Sequence, residues 1–97
     1  MKKSFNDIIH QEVPVLVDFT ADWCGPCKSM APILKQLKSE LKDAVSIIKI
    51  NVDKNQALAA KYQVQGVPTF IVFKQGKQVW RQSGMQSILQ LKQAINS

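Results

Sequence analysis

Two apolar runs constrain this chain more than anything else in it: VPVLVDFT (Val13–Thr20) and AVSIIKINV (Ala44–Val52). Each is nearly continuous in β-branched and aliphatic residues instead of alternating with polar ones, the pattern of a strand covered on both faces. Between them, from Gly25 to Lys42, the apolar residues fall at Cys27, Met30, Ile33, Leu34, Leu37 and Leu41. That spacing marks one stripe of a helix, with Lys28, Lys35, Lys38 and Lys42 largely outside it. Strand, helix and strand in this order imply a right-handed parallel crossover. Pro32 lies inside the helix, removes one backbone donor and is expected to kink it.

The flanks complete the pattern. Ser4, followed by Asp7 and an apolar Phe5/Ile8/Ile9 set, predicts a short opening helix. Asn55–Val64 predicts another, begun by Asn55. Thr69–Lys74 and Lys77–Gln82 read as strands joined by Gln75-Gly76, a two-residue hairpin signal. Met85–Asn96 carries Ile88, Leu91 and Ile95 on one stripe and predicts a final helix. The order α-β-α-β-α-β-β-α is that of an α/β domain: a mixed four-stranded sheet with helices on both faces.

At 97 residues the chain has room for one core, so a single domain over residues 1–97 is expected. A composition 45% hydrophobic and 21% charged suits a folded globule and excludes a disordered chain. Asn6, Asp7, His10, Gln11 and Glu12 interrupt any secretory h-region, and the apolar runs are far below the roughly 18 residues that cross a bilayer. The expectation is a cytoplasmic protein without a membrane role. Its net charge of +6 is spread over 13 lysines and arginines with no run longer than Lys2-Lys3. A solvated basic surface explains that better than nucleic-acid binding.

Within this frame, DWCGPCK (Asp22–Lys28) holds both cysteines. A zinc site wants four ligands, and beyond the two thiols there is only a distant His10, which reads as a surface residue of the opening helix. A permanent structural crosslink does not suit a reducing compartment. Redox use suits the placement. Cys24 follows a buried strand and stands at the start of the long helix, where free amides and the positive helix end favour a thiolate. About 1.4 kcal/mol equals one pKa unit, so the helix position alone can lower the Cys24 pKa by about one unit. Cys27 lies one turn on, facing back towards Cys24. Its place on the apolar stripe predicts that it is the more buried of the two, so Cys24 is the attacking thiol and Cys27 the resolving one. Pro26 fits a first turn that needs no donor, and it stiffens the loop that holds both sulfurs within bonding reach.

Two charges sit in the apolar runs. Asp18 lies between Val17 and Phe19, and Lys49 between Ile48 and Ile50. Each is expected to be buried and to need a partner or a shifted pKa. If the two strands are parallel neighbours, the pair can meet beneath the helix that carries the thiols. Either Asp18 is a raised-pKa carboxyl that accepts the Cys27 proton, directly or through water, or the two form a purely structural ion pair.

WCGPCK, preceded by VLVDFTAD and followed by MAPIL, resembles the active-site segment of the thioredoxin family. IIKINVDKN resembles the family's second core strand and turn, and GVPTFIVFKQGK its proline loop and hairpin. The likeness covers nearly the whole chain, from Phe5 to Ile95. It implies a thioredoxin fold of four or five strands with helices on both faces. The leading strand is expected to be shortened or absent, since only Met1 to Lys3 precede the first helix; that leaves the Ala44–Val52 strand nearer an edge. By resemblance Cys24 is the nucleophile and Cys27 the resolving cysteine, with Gly25 and Pro26 setting the reducing character of the loop. Asp18 resembles the buried acid beneath the disulfide and Lys49 its neighbour in the next strand, which favours the proton-transfer reading of Asp18. Pro68 resembles a cis-proline facing the disulfide, leaving the Gly66-Val67 backbone free to bond an extended peptide. Trp23, Gly66, Val67 and Gly84 would form a flat apolar platform around the Cys24 sulfur. Thr20 stands where some relatives carry a bulky aromatic, and the strong positive charge is unusual beside the many acidic members.

The function implied is a thiol–disulfide oxidoreductase acting as a general protein-disulfide reductase through a reversible Cys24–Cys27 couple. No bound cofactor is expected, because the sulfurs carry the electrons. Regeneration would come from a flavin-dependent, NADPH-using thioredoxin reductase. The partners are that enzyme and disulfide-containing proteins, and the expected state is a monomer. Two rivals remain: a disulfide oxidase or isomerase, and a binding or docking subunit whose redox activity is incidental.

Overall fold

The computed structural model describes residues 3–97. A short helix α1 (Phe5–Ile9) leads into strand β1 (Val15–Thr20) and the long helix α2 (Gly25–Leu41). One 3-10 turn (Lys42–Ala44) passes the chain to β2 (Ser46–Asn51), followed by α3 (Gln56–Lys61), the hairpin β3 (Thr69–Lys74) and β4 (Lys77–Ser83), and α4 (Ile88–Asn96). The sheet has four strands in the order β2-β1-β3-β4. β1 runs parallel to β2 and antiparallel to β3, and β3 is antiparallel to β4. This is the mixed α/β sheet expected. The leading-strand expectation falls on residues 1–3, of which the first two lie outside the described residues.

Local chemistry explains the boundaries. Ser4 and Asp7 form a reciprocal capping box at α1, as do Ser87 and Gln90 at α4, where the helix starts at Ile88 instead of Met85. The Lys38 ammonium reaches the carbonyls of Lys42 at 2.8 Å and Val45 at 2.7 Å, covering the oxygens left free at the end of α2. α2 runs continuously through Pro32. α3 is shorter than Asn55–Val64, and Asn55 makes no side-chain cap to it, donating instead to the Asn51 carbonyl at 2.9 Å. Gln75 and Gly76 both have positive φ, 51° and 84°, as a tight hairpin requires. His10 is the C-cap of α1 and is exposed, as expected of a surface residue, and its imidazole lies over this turn, where a Cβ on Gly76 would run into it.

Side chains of β1 alternate between two cores. Leu16 packs with Met30, Leu34 and Leu37 of α2 and with Leu91 of α4. Val15, Val17 and Phe19 pack on the other face with Ile9, Ile71 and Phe73, closed over by Phe5 and Tyr62. The rings of Phe5, Tyr62 and Phe73 lie 5.5 to 5.9 Å apart centroid to centroid, within the range of favourable aromatic pairs. An ion pair between Lys92 and Glu40 ties α4 to α2 at the surface. Among the described residues no helix is long and apolar enough to cross a membrane.

One expectation is corrected. Ala44–Val52 does not form a strand buried on both faces. β2 is the outer strand, half-buried along its length, and Lys49 is exposed. Among the described residues no strand pairs with its outer side, and a lysine at that edge keeps its ammonium in water.

Candidate active site

At the C-terminal end of β1 the chain turns through Ala21–Trp23 into α2, and Cys24 is the helix N-cap. Its Sγ accepts the Cys27 backbone N–H at 3.1 Å, while the Cys24 amide donates to Ala21 O at 3.2 Å. A sulfur in that position receives an amide that the helix leaves without a carbonyl partner, and it lies at the positive end of the helix dipole. Cys24 and Cys27 are joined in a disulfide with Cα atoms 5.3 Å apart. Pro26 sits within the first turn and Gly25 opens the helix. Both cysteines are buried, and the expected ranking is reversed: Cys24 is 3% exposed and Cys27 7%. The cap turns the Cys24 sulfur in over the first turn, where Ala21, Val52 and Val67 close against the pair. Cys27, by contrast, lines an open cleft on the α2 side of the sheet.

That cleft, about 400 Å³, is lined by Asp18, Thr20, Ala21, Asp22, Cys27, Lys28 and Lys49. It brings together three of the residues singled out in the sequence. Asp18 faces the α2 side of the sheet in register with Lys49 of β2 and Phe70 of β3. Only 2% of Asp18 is exposed, and its Oδ1 is buried without a hydrogen-bond partner. Burial pushes its carboxyl from 3.8 up to about 6, and the Lys49 charge pulls it partly back. The two form no ion pair within contact distance; among the described residues that contact is made by Lys92 and Glu40. Lys49 therefore acts on Asp18 through the field across the cleft and not through contact. Thr20 is small enough to leave the cleft open.

Val67 packs against the cysteine pair, Pro68 is buried and the Val67-Pro68 peptide is cis. Gly66, Val67 and Pro68 precede β3 and stay out of the sheet. Trp23 is 70% exposed, and its indole N–H donates to Asp53 Oδ2 at 2.9 Å. A shallow groove of about 80 Å³ runs between Trp23, Val52, Val64, Gln65, Gly66 and Val67. Gly84 is not in its lining; its N–H donates to Pro68 O at 2.8 Å, and its φ of +86° favours glycine there. Asp53 and Val64 were missed in the sequence. The polar stretch NVDKN just past β2 was the available signal for Asp53, because a chain leaving a parallel strand emerges at the same end as the β1–α2 turn.

Among the described residues no group of three or more His, Cys, Asp or Glu side chains comes together that could hold a metal. The redox group is the disulfide. The arrangement can exchange disulfides: a sulfur stabilised as an anion at a helix start, a second sulfur bonded to it, and a buried base sharing a cleft with the second.

Comparison with known proteins agrees with this chemistry. The family model described as Thioredoxin matches residues 1–97. Thioredoxin 1 of Chlorobaculum tepidum is 44% identical over 96 residues, covering 98% of this chain and 95% of that one. A thioredoxin-like protein of Synechocystis sp. is 51% identical over 82 residues, 84% of this chain and 78% of that one. Among solved structures, a mutant thioredoxin from Halobacterium salinarum superposes with a TM-score of 0.85 at 42% identity, covering 94% of this chain and 79% of that one. With the fold, the thiol pair and the sequence in agreement, the chain belongs to the thioredoxin family and is a thiol–disulfide oxidoreductase.

Proposed function

We propose that the protein is a general reductase of protein disulfides and that each site residue has a definite role. The Cys24 thiolate attacks one sulfur of a target disulfide; the target S–S bond breaks, and one target thiolate leaves and takes up a proton. Cys27 then loses its proton to Asp18 and attacks the Cys24 sulfur of the mixed disulfide. The second target thiolate departs and takes up the proton held by Asp18, and the Cys24–Cys27 bond closes. Two electrons pass to the target, with one proton from Cys27 by way of Asp18 and one from solvent.

The observation that carries this reading is that Asp18 and Cys27 line one cleft while the Cys24 sulfur caps the helix start. A carboxyl held at about 6 is largely ionised at neutral pH and is a stronger base than an ordinary carboxylate, so it can assist as the Cys27 thiol gives up its proton on attack. Gly25 and Pro26 keep the first turn tight, and Lys49 moderates Asp18. The Gly66-Val67 backbone, beside Pro68 and outside the sheet, offers hydrogen bonds to an extended target peptide. Trp23 and Val67 supply its apolar footing, and Gly84 holds Pro68 in place.

On this reading the disulfide is regenerated by a separate flavin-dependent, NADPH-using thioredoxin reductase, and the protein works as a cytoplasmic monomer. Dithiothreitol-driven reduction of insulin by wild type and by Cys24→Ser tests the reading. Wild type accelerates it and the variant does not; equal rates would remove the nucleophile from the mechanism. Equilibration with a glutathione series then decides direction: a midpoint as oxidising as glutathione itself turns the reading towards an oxidase.

The exposed face of Trp23 beside a groove favours a second reading, a docking subunit whose redox chemistry is incidental. A double Cys24→Ser, Cys27→Ser variant that keeps the biological role would select it.

A further inference from the structure

β4 lies at the sheet edge farthest from β2, yet it grips the segment that leads to Pro68. The Arg81 side chain leaves β4 on the α3 face, opposite Ile71 in register. Its guanidinium forks onto two carbonyls: Nη1 donates to Tyr62 O, and Nη2 to Gln63 O at 2.9 Å. Those oxygens belong to the C-cap of α3 and the residue after it, where a helix leaves its carbonyls unpaired and its dipole is negative. Two parallel donors in a rigid plane are what arginine supplies and lysine does not.

The clamp falls where the chain changes direction. Gln63 has φ +53°, a conformation side-chain-bearing residues adopt reluctantly. Its amide donates to Ala60 O at 3.0 Å, and the Val64 amide to Ala59 O at 2.9 Å, the paired ending of a helix that turns sharply away. From that turn the chain runs straight into Val64, Gln65, Gly66 and Val67, one wall of the groove beside Trp23. The far end of the wall is held by β4 as well. Ser83 Oγ shares a hydrogen bond with Thr69 Oγ1 at 3.0 Å, Thr69 Oγ1 donates to Gly66 O at 2.7 Å, and the Gly84 amide holds Pro68 O.

We infer that Arg81 is a positioning residue for target docking: by clamping the Tyr62 and Gln63 carbonyls it sets the direction of the Val64–Val67 wall against which a protein disulfide is seated. Arg81 hydrogen-bonds neither cysteine nor Asp18, so it acts on recognition of an extended peptide and not on sulfur chemistry. This inference rests on the proposed function, because it assumes protein disulfides as targets.

The test compares wild type, Arg81→Met and Arg81→Lys in dithiothreitol-driven insulin reduction and in reaction of the reduced protein with a small aryl disulfide, which needs no docking wall. Wild-type activity on insulin supports the proposed function, and its absence overturns that reading whatever the variants do. With wild type active, Arg81→Met raises KM for insulin about fivefold and changes kcat less than about twofold. The loss on insulin exceeds the loss on the aryl disulfide by about the same factor. Arg81→Lys, which keeps the charge but cannot fork, recovers less than half of the KM rise. An unchanged KM for insulin, or an equal loss on both disulfides, overturns the role of Arg81 and leaves the mechanism standing. Should urea unfolding show Arg81→Met unfolded, Arg81→Lys decides: a KM raised about threefold or more supports the inference and a KM nearer the wild-type value overturns it.

Discussion

The two faces of β1 are built from alternate residues of one strand and come out opposite in character. Val15, Val17 and Phe19 point into a core sealed by the Phe5, Tyr62 and Phe73 rings. Leu16 begins the other face in the same manner, but Asp18 breaks the series one step later, and the space above it opens into the cleft shared with Cys27 and Lys49. The sealed face gains from continuous apolar burial. The open face forgoes one hydrophobic contact and sets an ionisable group at a depth where its proton affinity is shifted. Chemistry is installed where the core is left incomplete, and the sealed face keeps the sheet rigid enough to hold it there.

The comparison can be broken from either side. The largest effect belongs to the thiols: Cys24→Ser should lower the rate of disulfide exchange by on the order of a thousandfold or more, measured as insulin reduction, with little change in urea unfolding of the reduced proteins. On the sealed face the reverse is expected. Phe73→Ala should cost about 3–5 kcal/mol of stability in urea unfolding, since it removes a ring from a closed aromatic core, while its thiol reactivity under native conditions stays near wild type. Loss of both properties together in either variant would show that the faces are not separable.

Asp18→Asn probes the open face and changes two quantities. Removing the base should slow closure of the Cys24–Cys27 bond about tenfold to a hundredfold, seen as mixed disulfide accumulating with a small thiol. The stability change has a definite sign. Asp18 binds its proton more tightly in the folded state, at about 6, than at the ordinary 3.8. Its contribution to stability is therefore complete below about pH 4 and is lost as pH rises through about 6. Above pH 7 the variant should exceed wild type by about 1–3 kcal/mol, and the difference should fade below about pH 4. A difference independent of pH would mean that Asp18 does not titrate as burial dictates. The smallest effect is Lys49→Met. Because the Lys49 charge lowers the Asp18 value, its loss should raise that value further, by less than about one unit for a solvent-screened lysine. The shift is read from the pH dependence of a carboxyl infrared band.

Most of the fold was legible. The order of elements, the hairpin turn at Gln75-Gly76 and the capping pair Ser4/Asp7 depend on near neighbours, and each appears where its pattern stands. The misreading was of the burial of β2; its place near an edge, expected from the resemblance, is where the sheet order puts it. Ile47, Ile48 and Ile50 look the same whether a strand is central or at the edge, because an apolar run records what a strand touches and not how many strands flank it. Lys49 was placed in the interior for that reason, and its exposure follows from the sheet order. Arg81 was invisible for a related reason: its partners Tyr62 and Gln63 are backbone carbonyls far along the chain, and carbonyls carry no residue signature.

The sequence by itself determined the sulfur chemistry of this protein. A buried strand ending in a cysteine cap, with a second cysteine one helical turn later, sets the two sulfurs side by side through bonds within a few residues of each other. Tertiary structure alone decided what surrounds them: the cleft over Asp18, the exposure of Lys49, the groove beside Trp23 and the Arg81 clamp. Short-range hydrogen bonds and helix geometry act within a turn and are written in consecutive residues. Burial and electric field depend on which strands and loops end up adjacent, and that is settled only when the whole sheet has formed.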